Sequence, residues 1–145
     1  YNDIGEIYSV QGDDFKALDY FKKSLKIVLS VYGENHSQVS SIYDHIGEIY
    51  FAQKDYSKAL YYFEESLKIR LSLFGENHPE VALSYYSIGS LYIIQGDKSK
   101  ALNYYEKSLK IRLSVYGENH PLTKEIMDLI NVANSKVLQS PETTK

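Results

Sequence analysis

A chain of 145 residues that is 43% hydrophobic and 24% charged, with a net charge of −3, can bury a real core and lacks the clustered basic excess of a general nucleic-acid binder. It contains no cysteine, which excludes disulfides and thiolate metal sites and leads us to expect a reducing, cytoplasmic setting. No apolar run nears the roughly 18 residues needed to cross a bilayer, so no membrane partner is expected.

The chain repeats itself. Gly5, Gly47 and Gly89 are spaced by 42 residues, as are Gly33, Gly75 and Gly117, and His36, His78 and His120. Tyr43–Ser84 and Tyr85–Ile126 agree at 24 of 42 positions, too many for chance, so each unit is one structural module. The 15 tyrosines recur at fixed register and are packing residues first.

In chain order, the spacing predicts helices over 1–11, 14–32, 38–52, 56–74, 80–94, 98–116 and 122–138. Tyr43, Ile46, Gly47 and Tyr50 share one helical face, and Leu60, Phe63, Leu67 and Leu71 share another. Within a hairpin, Gln95-Gly96-Asp97 places glycine after one helix and a capping aspartate before the next. The second repeat puts Lys54 at that glycine register, where a left-handed backbone would strain it. Between hairpins, Gly-Glu-Asn-His ends one helix, and Pro79 and Pro121 suit the first position of the next. Ser37 replaces proline in the first repeat, so a different helix start is expected there. The repeats are taken as 1–42, 43–84 and 85–126 within a 1–138 array closed by a helix over 122–138, with 139–145 a flexible tail. Tyr1 falls inside a repeat, which points to a chain cut from a longer array.

Three copies of a signature carry a resemblance. Tyr1, Ile4, Gly5, Tyr8, Ala17, Phe21 and Ser24 recur as Tyr43, Ile46, Gly47, Tyr50, Ala59, Phe63 and Ser66, and again as Tyr85, Ile88, Gly89, Tyr92, Ala101, Tyr105 and Ser108. This pattern resembles the tetratricopeptide repeat, and its 42-residue period is similar to that of kinesin light chain arrays rather than to the usual 34. The resemblance implies an all-α fold, an α-solenoid of antiparallel helix pairs wound as a right-handed superhelix, with about seven helices. It also implies peptide or cargo-adaptor binding along a concave surface lined by the first helix of each hairpin. Glycine would let the partner helix approach, with Ala and Ser keeping the crossing tight.

Catalysis is not expected: no nucleophile elbow, phosphate-cradling loop or zincin motif is present, and no cofactor is implied. The three repeated histidines fall on separate loops roughly 10 Å apart, too far to share a metal, and are read as caps. His45 is read as a surface residue without a partner. Lys68, Arg70, Lys110 and Arg112 alternate with Glu64, Glu65 and Glu106 and are read as a solvated face.

The first-helix positions outside the signature are the groove candidates: Asn2, Glu6 and Ser9; Ser41, Asp44, Glu48 and Phe51; Leu83, Tyr86, Ser90 and Ile93; then Asp128 and Val132. The set carries Glu6, Asp44, Glu48 and Asp128 and no Lys or Arg, unlike the basic clamp of chaperone-binding family members. It is expected to take a protein or peptide segment bearing basic and apolar residues. The alternative is self-association through terminal helices, since Ile126, Met127, Leu129, Ile130, Val137 and Leu138 form a broad apolar face on the closing helix.

Overall fold

The computed structural model of the chain describes residues 1–138, with side chains as far as Ser135; the expected tail at 139–145 and the side chains of Val137 and Leu138 lie outside the described residues. Among the described residues there are seven helices and no strands. α1 (Asn2–Val10) and α2 (Asp14–Tyr32) form one hairpin, α3 (Ser37–Ala52) and α4 (Tyr56–Phe74) a second, and α5 (Pro79–Ile94) and α6 (Lys98–Tyr116) a third, followed by α7 (Pro121–Leu138). Every expected helix is present, with ends within one residue of the expectation.

The ends follow from local chemistry. Asp13, Asp55 and Asp97 accept the backbone N–H of Lys16, Lys58 and Lys100 at 3.2, 3.3 and 3.1 Å. Before the first helices, His36, His78 and His120 do the same through Nδ1, accepting from Gln38, Glu80 and Leu122 at 3.2, 3.1 and 3.1 Å. The His36 and His120 imidazoles also stack on Tyr32 and Tyr116 at 4.3 and 4.2 Å. This cap explains one departure from expectation: α3 starts at Ser37, in register with Pro79 and Pro121, because histidine rather than proline sets the start. Lys54 does sit in the left-handed region, at φ 62°.

The chain divides into two compact units, Tyr1–Gly75 and Glu76–Lys145, at the second Gly-Glu-Asn-His loop. In unit 1, α1 packs on α2, α2 on α3 and α3 on α4. Its core holds Ala17, Phe21, Val28, Val39, Ile42, Ile46, Ile49 and Ile69. A Cβ on Gly47 would lie 2.7 Å from the Phe63 ring, and one on Gly5 2.8 Å from Phe21. The glycines therefore make room for an aromatic ring, not mainly for the small residues expected to face them. In unit 2, α6 packs against both α5 and α7. Val81, Ile88, Leu91, Ala101, Tyr105 and Ile126 are buried, and Ser108 Oγ donates to the Ala82 carbonyl at 2.8 Å. Ile126 is thus core, so it leaves the free apolar face expected on the closing helix; Met127, Leu129 and Ile130 are half-buried.

Candidate functional site

In unit 1 the candidate face is carried by α1 and α3. Glu6, Ser41 and Glu48 are exposed, while Asn2, Ser9, Asp44 and Phe51 are half-buried. Asn2 Nδ2 donates to Glu6 Oε1 at 2.8 Å. Phe51 packs edge-on to Tyr56, with ring centroids 5.8 Å apart.

Three expectations fail here. Asp44 is not a free groove carboxylate: its Oδ2 lies 2.6 Å from Arg70 Nη1, with the side chains 19% and 4% exposed. Arg70 therefore does not belong to a solvated face. Its register on α4 turns it inward, where the core must answer its charge, and Asp44 supplies the answer. Burial pushes the Asp44 carboxyl above its ordinary range, and the Arg70 charge opposes that rise. Nor is His45 without partners. Its ring stacks on Phe21 of α2, with centroids 5.1 Å apart and planes 5° from parallel. Its Nε2 lies 3.3 Å from Glu6 Oε1 on α1, and its Nδ1 3.9 Å from Glu48 Oε2 on α3. The hydrogen bond and charge of Glu48, with Glu6 and Asp44 adding to it, raise the His45 pKa against the opposing effect of burial.

In unit 2 the candidates lie on α5 and α7. Leu83, Asp128 and Val132 are exposed; Tyr86, Ser90 and Ile93 are half-buried. Arg112, expected on a solvated face, is 4% exposed: it donates to the Leu122 carbonyl at 2.8 Å, approaches Glu125 Oε2 at 3.5 Å and lies 5.2 Å from the Tyr86 ring centre. Tyr86 is thereby a wall for a buried cation as well as a surface residue. Ser90 Oγ shares a hydrogen bond with Tyr105 Oη at 3.1 Å. Ile93, Tyr105, Leu129, Val132 and Ala133 line an apolar recess of about 350 Å³, with Lys98 at its edge. This face therefore holds a lysine that the sequence-based set lacked.

Register comparison could have found the two arginines. Position 28 is Val28 where the next repeats have Arg70 and Arg112, and it falls on the same face of α2 as Ala17, Phe21 and Ser24, the signature residues of that helix. Position 2 changes with it, Asn2 pairing with Val28 and Asp44 with Arg70. Among the described residues no cluster of three or more His, Asp or Glu could hold a metal, and no helix is long and apolar enough to cross a membrane.

A family model described as the tetratricopeptide repeat matches residues 1–72 and 39–114. Among solved structures, BtubC (BKLC) from P. vanneervenii is similar over 100% of this chain and 66% of its own, with 20% identity and a TM-score of 0.78. A kinesin light chain-like protein of nearly identical repeats from P. anserina is similar over 94% of this chain and 66% of its own, with 16% identity and a TM-score of 0.79. The N-terminal domain of stress-induced protein-1 from C. elegans covers 88% and 90%, with 20% identity and a TM-score of 0.62. The chain thus spans 66% of the length of the first two. No curated protein matches it by sequence. The structural likenesses show the fold: an α-solenoid of antiparallel helix pairs.

Proposed function

Because this chain belongs to the tetratricopeptide repeat family, whose arrays serve as protein-interaction scaffolds, we propose that it is a non-catalytic scaffold whose first-helix faces hold a segment of a protein partner. The observation that carries the reading is the pair Glu6 and Glu48. They occupy the same register on α1 and α3, their side chains are 48% and 70% exposed, and they flank His45. The fold does not need carboxylates there, since the same register is Ser90 and Val132 in unit 2. A Lys or Arg of the partner binds between them when His45 is neutral. Asp44 is withdrawn from the binding set, because its charge is spent on Arg70. Phe51 in unit 1 and the Ile93 recess in unit 2 each offer an apolar anchor.

Fluorescence anisotropy with a labelled Lys/Leu peptide, at low and high salt, tests this. Binding should be salt-sensitive and lost in the Glu6→Lys/Glu48→Lys variant; binding that this double variant leaves intact sinks the reading.

A second reading, self-association through helix faces, has one observation in its favour. Ile4 and Ile7 of α1 are 39% and 55% exposed, whereas Ile46 and Ile49, at the same register of α3, are 0% and 2% exposed under the hairpin that precedes them. A second copy covering α1 would give a mass that rises with concentration in light scattering; a constant monomer mass rules it out.

A further inference from the structure

The Gly-Glu-Asn-His loops border a recess in each unit that includes none of the first-helix candidates. In unit 1 it is about 330 Å³, lined by Glu34 and Asn35 of the loop, Tyr43 of α3, and Glu65, Lys68 and Ile69 of α4. In unit 2 the same registers line a recess of about 510 Å³, Glu76, Asn77, Tyr85, Lys107, Lys110 and Ile111, without a counterpart to the Tyr61 that also borders the unit 1 recess. The floor is the same pair, Tyr and Ile, and the loop wall the same Glu-Asn. One wall position changes sign, from Glu65 to Lys107.

That change makes the unit 2 recess cationic. Two lysines face a single Glu76, where unit 1 has two glutamates and one lysine. Lys107 Nζ lies 5.5 and 5.2 Å from the ring centres of Tyr85 and Tyr104, and among the described residues neither Lys107 nor Lys110 is engaged by a carboxylate. Asn77 Nδ2 donates to Ser114 Oγ at 3.2 Å, tying the loop to α6 and holding the recess open between them. On α6 the two lysines are three residues apart and so adjacent on its surface. A recess with an aromatic and aliphatic floor and two ammonium groups that no carboxylate engages among the described residues suits an amphipathic acidic ligand.

We propose that the unit 2 recess is a second binding site, which takes a glutamate or aspartate of an extended acidic peptide between Lys107 and Lys110 and lays an adjacent apolar side chain on Tyr85 and Ile111. Glu76 leaves the lining with one net positive charge, which a carboxylate balances and a phosphate dianion overshoots. The site is independent of the Glu6–Glu48 face and opposite to it in charge preference.

The test uses the whole chain and a fluorescein-labelled peptide of alternating Glu and Leu. Lys107→Glu, which installs the residue unit 1 already carries at this register, should weaken binding roughly tenfold. Glu6→Gln/Glu48→Gln, which removes the first-helix charges without adding cations, should leave it unchanged, so failure of this site is distinguishable from failure of the first-helix face. Glu65→Lys should raise the calorimetric stoichiometry from one peptide to two. Wild-type affinity in Lys107→Glu overturns the proposal. So does tighter binding of the matching phosphoserine peptide, or equal loss of a Lys/Leu peptide on Lys107→Glu, which would mark a fold defect instead of a site.

Discussion

The two hairpins of unit 1 have the same backbone plan and opposite internal chemistry at one register. In α3–α4 a buried guanidinium, Arg70, meets Asp44 at 2.6 Å. In α1–α2 the same positions are Val28 and Asn2; the arginine's place is apolar, and a cavity of about 200 Å³ remains, lined in part by Asn2, Ser24 and Val28. The Asn2 Oδ1 atom is buried there without a hydrogen bond. In unit 2 the arginine recurs as Arg112, 4% exposed, with Tyr86 at the aspartate's register and Glu125 as its carboxylate. What the second hairpin should resist is loss of Asp44 alone, since weakening the compensation of a buried charge costs more than a well-made pair contributes.

The sharpest way to break that comparison is Asp44→Ala, which removes the carboxylate 2.6 Å from a guanidinium 4% exposed. We expect a loss of about 3 kcal/mol in urea unfolding. Asp44→Asn combined with Arg70→Val, which copies the first hairpin into the second, should lie within about 1 kcal/mol of wild type. A double variant as damaged as the single one would show that the pair is not what matters.

Where the hairpins agree, the comparison predicts equal damage. Gly5 and Gly47 each leave room for a phenylalanine ring, which a Cβ at those positions would approach to 2.8 and 2.7 Å. Gly5→Ala and Gly47→Ala should each cost about 2 kcal/mol through overpacking, read as lower unfolding midpoints. A silent Gly47→Ala would mean that Phe63 can move aside.

These contrasts also separate what could be read from the sequence from what could not. Helix ends were readable because their determinants are local: Asp55 caps α4 from one position before it, and Gly75 ends the same helix at φ 78°. The aromatic and glycine signature was readable because it recurs. Arg70 was misread because its answering charge, Asp44, comes from the other helix of the hairpin, and a run of Lys, Arg and Glu along α4 looks solvated when taken alone. His45 was misread for the same reason: Glu6 and Phe21 lie in the preceding hairpin. Long-range partners are set by stacking, and one-dimensional spacing does not show them.

The turns give a smaller contrast. Gly12 joins α1 to α2 at φ 77°, and Lys54 joins α3 to α4 at φ 62°. A side chain in that region costs about 1 kcal/mol relative to glycine, so Lys54→Gly should raise the melting temperature. Lys54 is exposed, so little packing is lost to offset the gain. A lower melting temperature would show that the lysine side chain supports the turn.

The smallest expected effect is the pH response of His45, whose register is occupied by Asp3 in the first hairpin. The charged groups near the imidazole are Glu48 and Asp44 on α3 and Glu6 on α1, while α2 contributes only the Phe21 ring against it. These carboxylates favour the imidazolium, so the folded-state pKa lies above the ordinary 6.5. A raised folded pKa contributes stability that is fully present below pH 6.5 and is lost as pH rises through the folded value. The first-helix face responds in the opposite sense: protonated His45 competes for Glu6 and Glu48, so a basic peptide should bind more weakly as pH falls through the same window. His45→Asn should flatten both profiles. If peptide affinity followed pH equally in wild type and His45→Asn, the imidazole would have no part in gating that face.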